Sequence, residues 1–211
     1  MSKATLKDKR NDSIRQIMAA ATEIFAENGF AGARMDEIAK RASINKAMIY
    51  YRIGDKKALY DKVLHDLFAN IASRMAGDLK NDQGPEEKLL TYISNLNETI
   101  DQNPGLPHIM MQEIASGGRN FTELVAMDIL RILSVLKSII EEGVTSGSFI
   151  KVDALALHMM IMGAIVFYKA SVPVRKKHFS LVNKKIMSDN EYSPNNFVKE
   201  IEKVVIRAVK K

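Results

Sequence analysis

Residues 45–52 read Asn-Lys-Ala-Met-Ile-Tyr-Tyr-Arg. These types in this order suit contact with a nucleic-acid groove. Lys46 can donate to guanine O6 or N7, Ala47 permits close approach, and Met48 and Tyr50 can meet thymine methyl groups. Tyr51 can donate its hydroxyl to a phosphate, and Arg52 offers a second such contact. Asn45 is a good N-cap for the run. Lys56 then stands in the first turn of the next helix, where free backbone N–H groups and a cation together favour a phosphate. The competing reading for Tyr50 or Tyr51 is that one ring packs on a supporting helix. Lys7, Lys9 and Arg10 can reach a minor groove, or belong to a disordered stub.

Other chemistry is sparse. The 211 residues contain no Cys. Disulfide scaffolds, thiol nucleophiles and cysteine-bound zinc are therefore excluded, and a reducing compartment fits. No phosphate-binding Gly loop, no His-Glu-x-x-His and no G-x-S-x-G occurs. Four scattered His form no metal-ligand spacing. The chain is expected to be no enzyme and to need no metal or cofactor.

Apolar periodicity near 3.6 runs almost throughout. Ile14, Ile17, Met18, Ala21, Ile24 and Phe25 mark a first helix, capped at Asp12 or Ser13 and stopped by Gly29. Short helices follow at Met35–Ala42 and Lys46–Arg52, so the front end has a helix-turn-helix plan in which Ile49, Ile44 and Ile53 point inward. A fourth helix, capped by Asp55, carries Leu59, Val63, Leu67, Ile71 and Met75. Further helices are expected over about 86–102, 108–116, 121–145 and 153–171. A loop is expected from Pro173, and a last helix should start at Ser193-Pro194. Phe149, Ile150 and Val152 are too few to build a sheet. The expected fold is all-α with nine or ten helices: a helix-turn-helix domain over 1–55 and a helical domain over 56–211. No basic start followed by an apolar run marks a secretory signal, and the apolar run 154–168 is too short to span a bilayer. A cytoplasmic protein is expected.

The net charge is +6, unevenly spread. Residues 1–60 hold 12 Lys+Arg against 7 Asp+Glu, residues 61–130 hold 5 against 11, and residues 131–211 hold 14 against 7. A basic front suits a polyanion. Most of the acidic middle is expected to be solvated.

The motifs Ile24-Phe25-Ala26-Glu27-Asn28-Gly29-Phe30, Asp36-Glu37-Ile38-Ala39 and Asn45 to Leu59 together resemble the TetR/AcrR family of transcriptional regulators. The resemblance covers residues 13–64. It implies a dimer on a palindromic operator, most often a repressor released by a small molecule held in the C-terminal domain. It places DNA contacts at Lys46, Ala47, Met48, Tyr50, Tyr51 and Lys56, and at Arg34 and Met35 where the second helix starts. The chain departs from the family pattern in three places. Ala33-Arg34 stands where Thr or Ser is usual, Ser43 where Gly is usual, and Tyr-Tyr-Arg-Ile where Tyr-Tyr-His-Phe is common. No operator sequence can be borrowed.

Double-stranded DNA, a small largely apolar effector and a second copy of the chain are the expected partners. Residues 153–171 and 195–209 are the expected dimer helices. Phe68, Met111, Glu113, Phe121, Met127, His158, Met162 and Tyr168 are the candidate effector contacts. Met residues line adaptable apolar pockets and equally fill cores. Glu113 would answer a cation, and His158 is a ligand group or a satisfied core histidine. Arg175-Lys176-Lys177-His178 and Lys184-Lys185 form a second basic cluster. Two other readings stand beside the regulator: a DNA-bound protein whose second domain takes a protein partner, and a helical enzyme that kept a helix-turn-helix.

Overall fold

The computed structural model describes residues 3–79, 82–179 and 194–211, with side chains from residue 11 onward except at 179, 194 and 195. Helices α1 (Lys3–Gly32), α2 (Met35–Arg41) and α3 (Lys46–Arg52) form the front end. They are followed by α4 (Lys56–Asp78), α5 (Pro85–Gln102), α6 (Leu106–Ala115), α7 (Glu123–Thr145) and α8 (Ala154–Ala170). A short α9 (Val172–Val174) opens into a π-helical turn over Arg175–Phe179, and α10 (Pro194–Val209) ends the chain. The fold is all-α, as the periodicity requires. Among the described residues the only extended pairing is one bridge between Phe149 and Lys210.

The helix ends follow their capping chemistry. Asp55, Thr122 and Asp153 each accept a bond from a first-turn backbone N–H, at Ala58, Val125 and Ala156, which satisfies donors the helix itself cannot. Gly29 bends the end of α1 at φ 67°, a conformation that glycine adopts without steric cost.

Two expectations are corrected at helix boundaries. Helix α1 starts at Lys3 rather than at Asp12 or Ser13, because nothing before Gly29 interrupts a helix. The segment from Pro173 is helical, not a loop. A proline in a first helical turn lacks only an N–H that would be unpaired anyway. Ser193 and Lys184-Lys185 lie outside the described residues.

One apolar core runs from Ile17 to Val209. Helix α4 carries it, burying Leu59, Val63, Leu67, Ile71 and Met75 in one stripe. Each such side chain contributes roughly 1.5–3 kcal/mol. At its start α4 packs on α1, where the Tyr60 ring lies 4.6 Å from Phe25 and 5.1 Å from Phe30. Further on it packs against α5 and α7. Helix α6 also reaches back to α1: Gln112 Nε2 donates to the Ala26 carbonyl at 3.1 Å. The front end is thus held through α4 and α6 together.

Candidate nucleic-acid interface

The turn between α2 and α3 positions α3. Ser43 adopts φ 54°, the only positive φ at a non-glycine among the described residues. That conformation lets Ser43 N–H reach the Lys40 carbonyl at 3.1 Å and Ile44 N–H the Ala39 carbonyl at 3.0 Å. It carries a small steric cost that glycine would avoid. Asn45 then caps α3, its Oδ1 accepting from Ala47 N–H at 2.8 Å.

Helix α3 is sharply two-sided. Ile49 is 0% exposed, and Ile44 and Ile53 pack beside it. Tyr51 is 88% exposed, and Ala47, Met48 and Tyr50 are exposed next to it. Neither tyrosine packs away into the supporting helices. Lys46 and Arg52 are half-buried at the two ends of this surface. Lys46 is held by Asp36 on α2, Nζ to Oδ1 2.9 Å, and this bond raises its pKa. Arg41 ties α2 to α1 through Glu27 at 2.7 Å and Glu23 at 3.5 Å. The guanidinium holds the Glu27 carboxyl below its ordinary pKa.

Arg34 is exposed at the N-cap of α2 and makes no side-chain cap bond. Two candidate contacts sit differently from expectation. The Met35 side chain is buried, because the first turn of α2 must close the small core under Ile38. Only the backbone there can face a partner. Lys56 spends its ammonium on the carbonyls of Ala33 (3.1 Å) and Ala31 (3.3 Å) and lies 4.7 Å from the Phe30 ring centroid. It fastens α4 to the end of α1 instead of projecting free. Lys7, Lys9 and Arg10 lie within α1 rather than in an irregular stub.

The candidate effector residues divide among several settings. Phe68 is buried with its ring 6.1 Å from that of Phe121. Glu113 is buried, accepting from the Tyr60 hydroxyl (2.7 Å), Asn120 Nδ2 (2.8 Å) and Asn120 N–H (3.3 Å). Its carboxylate is satisfied by neutral donors. Burial, and after it the bond to Glu113, pushes the Tyr60 hydroxyl well above the ordinary phenol range. His158 is buried, with Nδ1 2.7 Å from the Tyr92 hydroxyl, and Met162 is buried on the same helix. Tyr168 is stacked on Phe197 at 3.8 Å and covered by Arg175 at 3.9 Å. Met111, Phe121 and Met127 are at least partly on the outer surface.

Sequence reasoning missed three internal features. Asp128 is fully buried, not solvated, and is held by His65 Nδ1 (2.7 Å) and Arg131 (2.9 Å). Asn95 and Thr99 are buried on α5. Their signal was present as polar residues at core-facing positions of an otherwise apolar period.

The sequence model described as "Bacterial regulatory proteins, tetR family" matches residues 17–63. That described as "Tetracyclin repressor-like, C-terminal domain" matches residues 85–191, half of the chain. The chain belongs to the TetR family. It is 26% identical over 161 residues to the fatty acid metabolism regulator protein of Bacillus subtilis strain 168, covering 76% of this chain and 82% of that one. It is 27% identical over 168 residues to the HTH-type transcriptional repressor NicS of Pseudomonas putida, covering 79% and 77%. Its fold matches the transcriptional regulator FadR from Bacillus subtilis in complex with stearoyl-CoA at TM-score 0.70 and 21% identity, over 92% of this chain and 98% of that one. These relatives are transcription regulators, and this TetR-family chain is one by the same family match.

Proposed function

We propose that this TetR-family regulator is a homodimeric repressor. It binds a palindromic operator through α3 and leaves it when a small, largely apolar effector binds within residues 56–211. The observation that carries the reading is the outer face of α3, where Ala47, Met48, Tyr50 and Tyr51 stand exposed over a fully buried Ile49. A soluble surface gains nothing from exposing Met and two Tyr in one turn, whereas a groove reader does. Arg34, Asn45, Lys46, Arg52 and Lys56 flank that face and serve phosphates or base edges, with Met35 contributing its backbone. Residues 1–55 form the DNA-binding part in this reading.

Dimerisation is assigned to α8 and α10. Leu155, Met159, Met160 and Phe167 are exposed along one side of α8, and a Cβ at Gly163 on the same side would meet nothing within 4 Å. Val204 is exposed on α10. An apolar stripe of this kind needs cover. Two α3 helices must then span successive major grooves, about 34–36 Å apart. An effector that favours a mismatched spacing releases the operator. Helix α4 is the lever, because it runs without a break from α1 to α7. Phe68, Glu113, His158 and Met162 on inner faces are the effector contacts closest to it in character. Met111, Phe121, Met127 and Tyr168 are retained as contacts at its rim. DNA as partner places the protein in the cytoplasm, with no catalytic role. Repression is supported by the name of NicS, and an effector with an apolar part by the acyl chain of the stearoyl-CoA bound to FadR.

The test is selection of the purified protein on sheared genomic DNA at roughly 150 mM salt, an ionic strength that weakens purely electrostatic binding. Repeated recovery of one short palindrome is expected. Uniform recovery of all fragments would sink the reading.

A further inference from the structure

Helix α5 carries Tyr92, Asn95 and Thr99 at i, i+3 and i+7, along one side of the helix. All three are buried: Tyr92 and Thr99 are 0% exposed and Asn95 is 5% exposed. Tyr92 meets His158 of α8. Burial lowers the pKa of His158 and raises that of Tyr92, so both favour their neutral forms and the bond joins an uncharged phenol to an uncharged imidazole. Asn95 Nδ2 and Thr99 Oγ1 have no hydrogen-bond partner among the described residues. A helical Thr ordinarily gives its hydroxyl to the carbonyl four residues back. Thr22 does so to Met18 at 2.9 Å and Thr145 to Glu141 at 2.8 Å; Thr99 does not. Two neighbouring buried polar groups on one helix face thus keep their desolvation cost with nothing among the described residues to offset it.

We propose that Asn95 and Thr99 are the polar anchor of an internal site for an uncharged, mostly apolar molecule bearing a carbonyl-type hydrogen-bond acceptor. The Tyr92–His158 pair is its neighbouring polar contact. The proposal rests on the effector-responsive regulator reading and names the chemical class of its effector. Charge selects the class. Among the described residues the buried polar and charged ones are Asn95, Thr99, Glu113, Asp128 and His158, with no Lys or Arg. A ligand carboxylate or phosphate enclosed here would be buried without a cation, which is strongly unfavourable. A cationic ligand finds both buried carboxylates already engaged, Glu113 by Tyr60 and Asn120, Asp128 by His65 and Arg131. The helices packed on α5 bury Ile71, Met75, Ile132, Leu136 and Ile165, so the body of a molecule enclosed among them would have to be apolar. Met75 among them can repack around it.

The probes are nonan-2-one and nonanoate, which share a chain and differ in the charge of the head. Binding is followed by calorimetry and by the rise in Tm of the full-length protein, in the wild type and in Thr99→Val and Asn95→Leu. The ketone is expected to bind the wild type and nonanoate to bind at least about tenfold more weakly. Each variant should lose about tenfold in ketone affinity while its ligand-free Tm stays level or rises, since an unpaired buried polar group has been removed. Equal affinity for the two probes, unchanged ketone affinity in both variants, or no ketone binding at all overturns the proposal. So does a fall of several degrees in the ligand-free Tm of both variants, because the two groups would then be structurally satisfied. Operator occupancy, measured by anisotropy in the same samples, separates the two readings. Release by stearoyl-CoA with no effect of nonan-2-one leaves the regulator and removes this site. Ketone binding that depends on Thr99, without any specific operator, leaves the site and removes the regulator.

Discussion

The Lys46 ammonium sits between two demands: it lies 2.9 Å from the Asp36 carboxylate and stands on the face of α3 that would meet DNA. Water reaches both partners and screens the pair, so exchange for a base or phosphate is inexpensive. Lys46→Ala should lower specific operator affinity by about 1–3 kcal/mol if Lys46 reads a base. Asp36→Ala should raise affinity for scrambled DNA by up to about fivefold, by freeing the cation and removing an anion from the surface. Anisotropy titrations on matched and scrambled duplexes check both. Unchanged affinity and sequence preference in Lys46→Ala would remove Lys46 from the base-reading set.

Gly143 on α7 lies directly under the Phe149 ring: a Cβ there would fall 2.0 Å from Phe149 Cδ2. Phe149 is buried and its segment pairs with the end of α10, where Ile150 N–H donates to the Val209 carbonyl at 2.8 Å. Gly143→Ala must therefore push the ring and the α10 end outward. A loss of about 1–3 kcal/mol is expected from overpacking, read as a lower midpoint in urea unfolding. An unchanged midpoint would show that the ring can move freely.

The helical period and the caps at Asn45 and Asp55 were legible in the sequence because they depend on neighbouring residues. The face of α3 was legible for the same reason: Ile49 is the one apolar residue whose burial orients the others. What was hidden depends on where distant helices meet. Lys56 reads as a free first-turn cation until α1 ends beside it and offers the Ala31 and Ala33 carbonyls. Asp128 reads as a solvated acid until His65, on another helix, faces it. Asn95 and Thr99 look like ordinary polar interruptions, and only the absence of a partner among the described residues makes them distinctive.

The exposed stripe on α8 makes oligomeric state a direct test of the dimer assignment. Phe167 is 65% exposed, and its mate in a symmetric pair would be covered too. Phe167→Glu removes an apolar contact of roughly 1.5–3 kcal/mol from each protomer and puts a charge into the seam. Sedimentation should show a monomer at micromolar concentration, with specific DNA affinity falling in parallel. A variant that stays dimeric and binds normally would move the interface elsewhere.

The buried His158 makes stability depend on pH in a defined direction. Burial lowers its folded-state pKa, so the unfolded chain binds a proton first as pH falls through the ordinary histidine range. The native state is favoured above that range, where both states are neutral. It loses stability below about pH 6.5, until the folded pKa is reached. His158→Gln can still accept a bond from Tyr92 but cannot titrate. Thermal unfolding between pH 5 and 8 should therefore show a steeper fall in Tm for the wild type than for His158→Gln, with the two curves converging in slope above pH 7. Parallel curves across the whole range would mean that His158 titrates alike in both states and that its burial carries no penalty for the charged form.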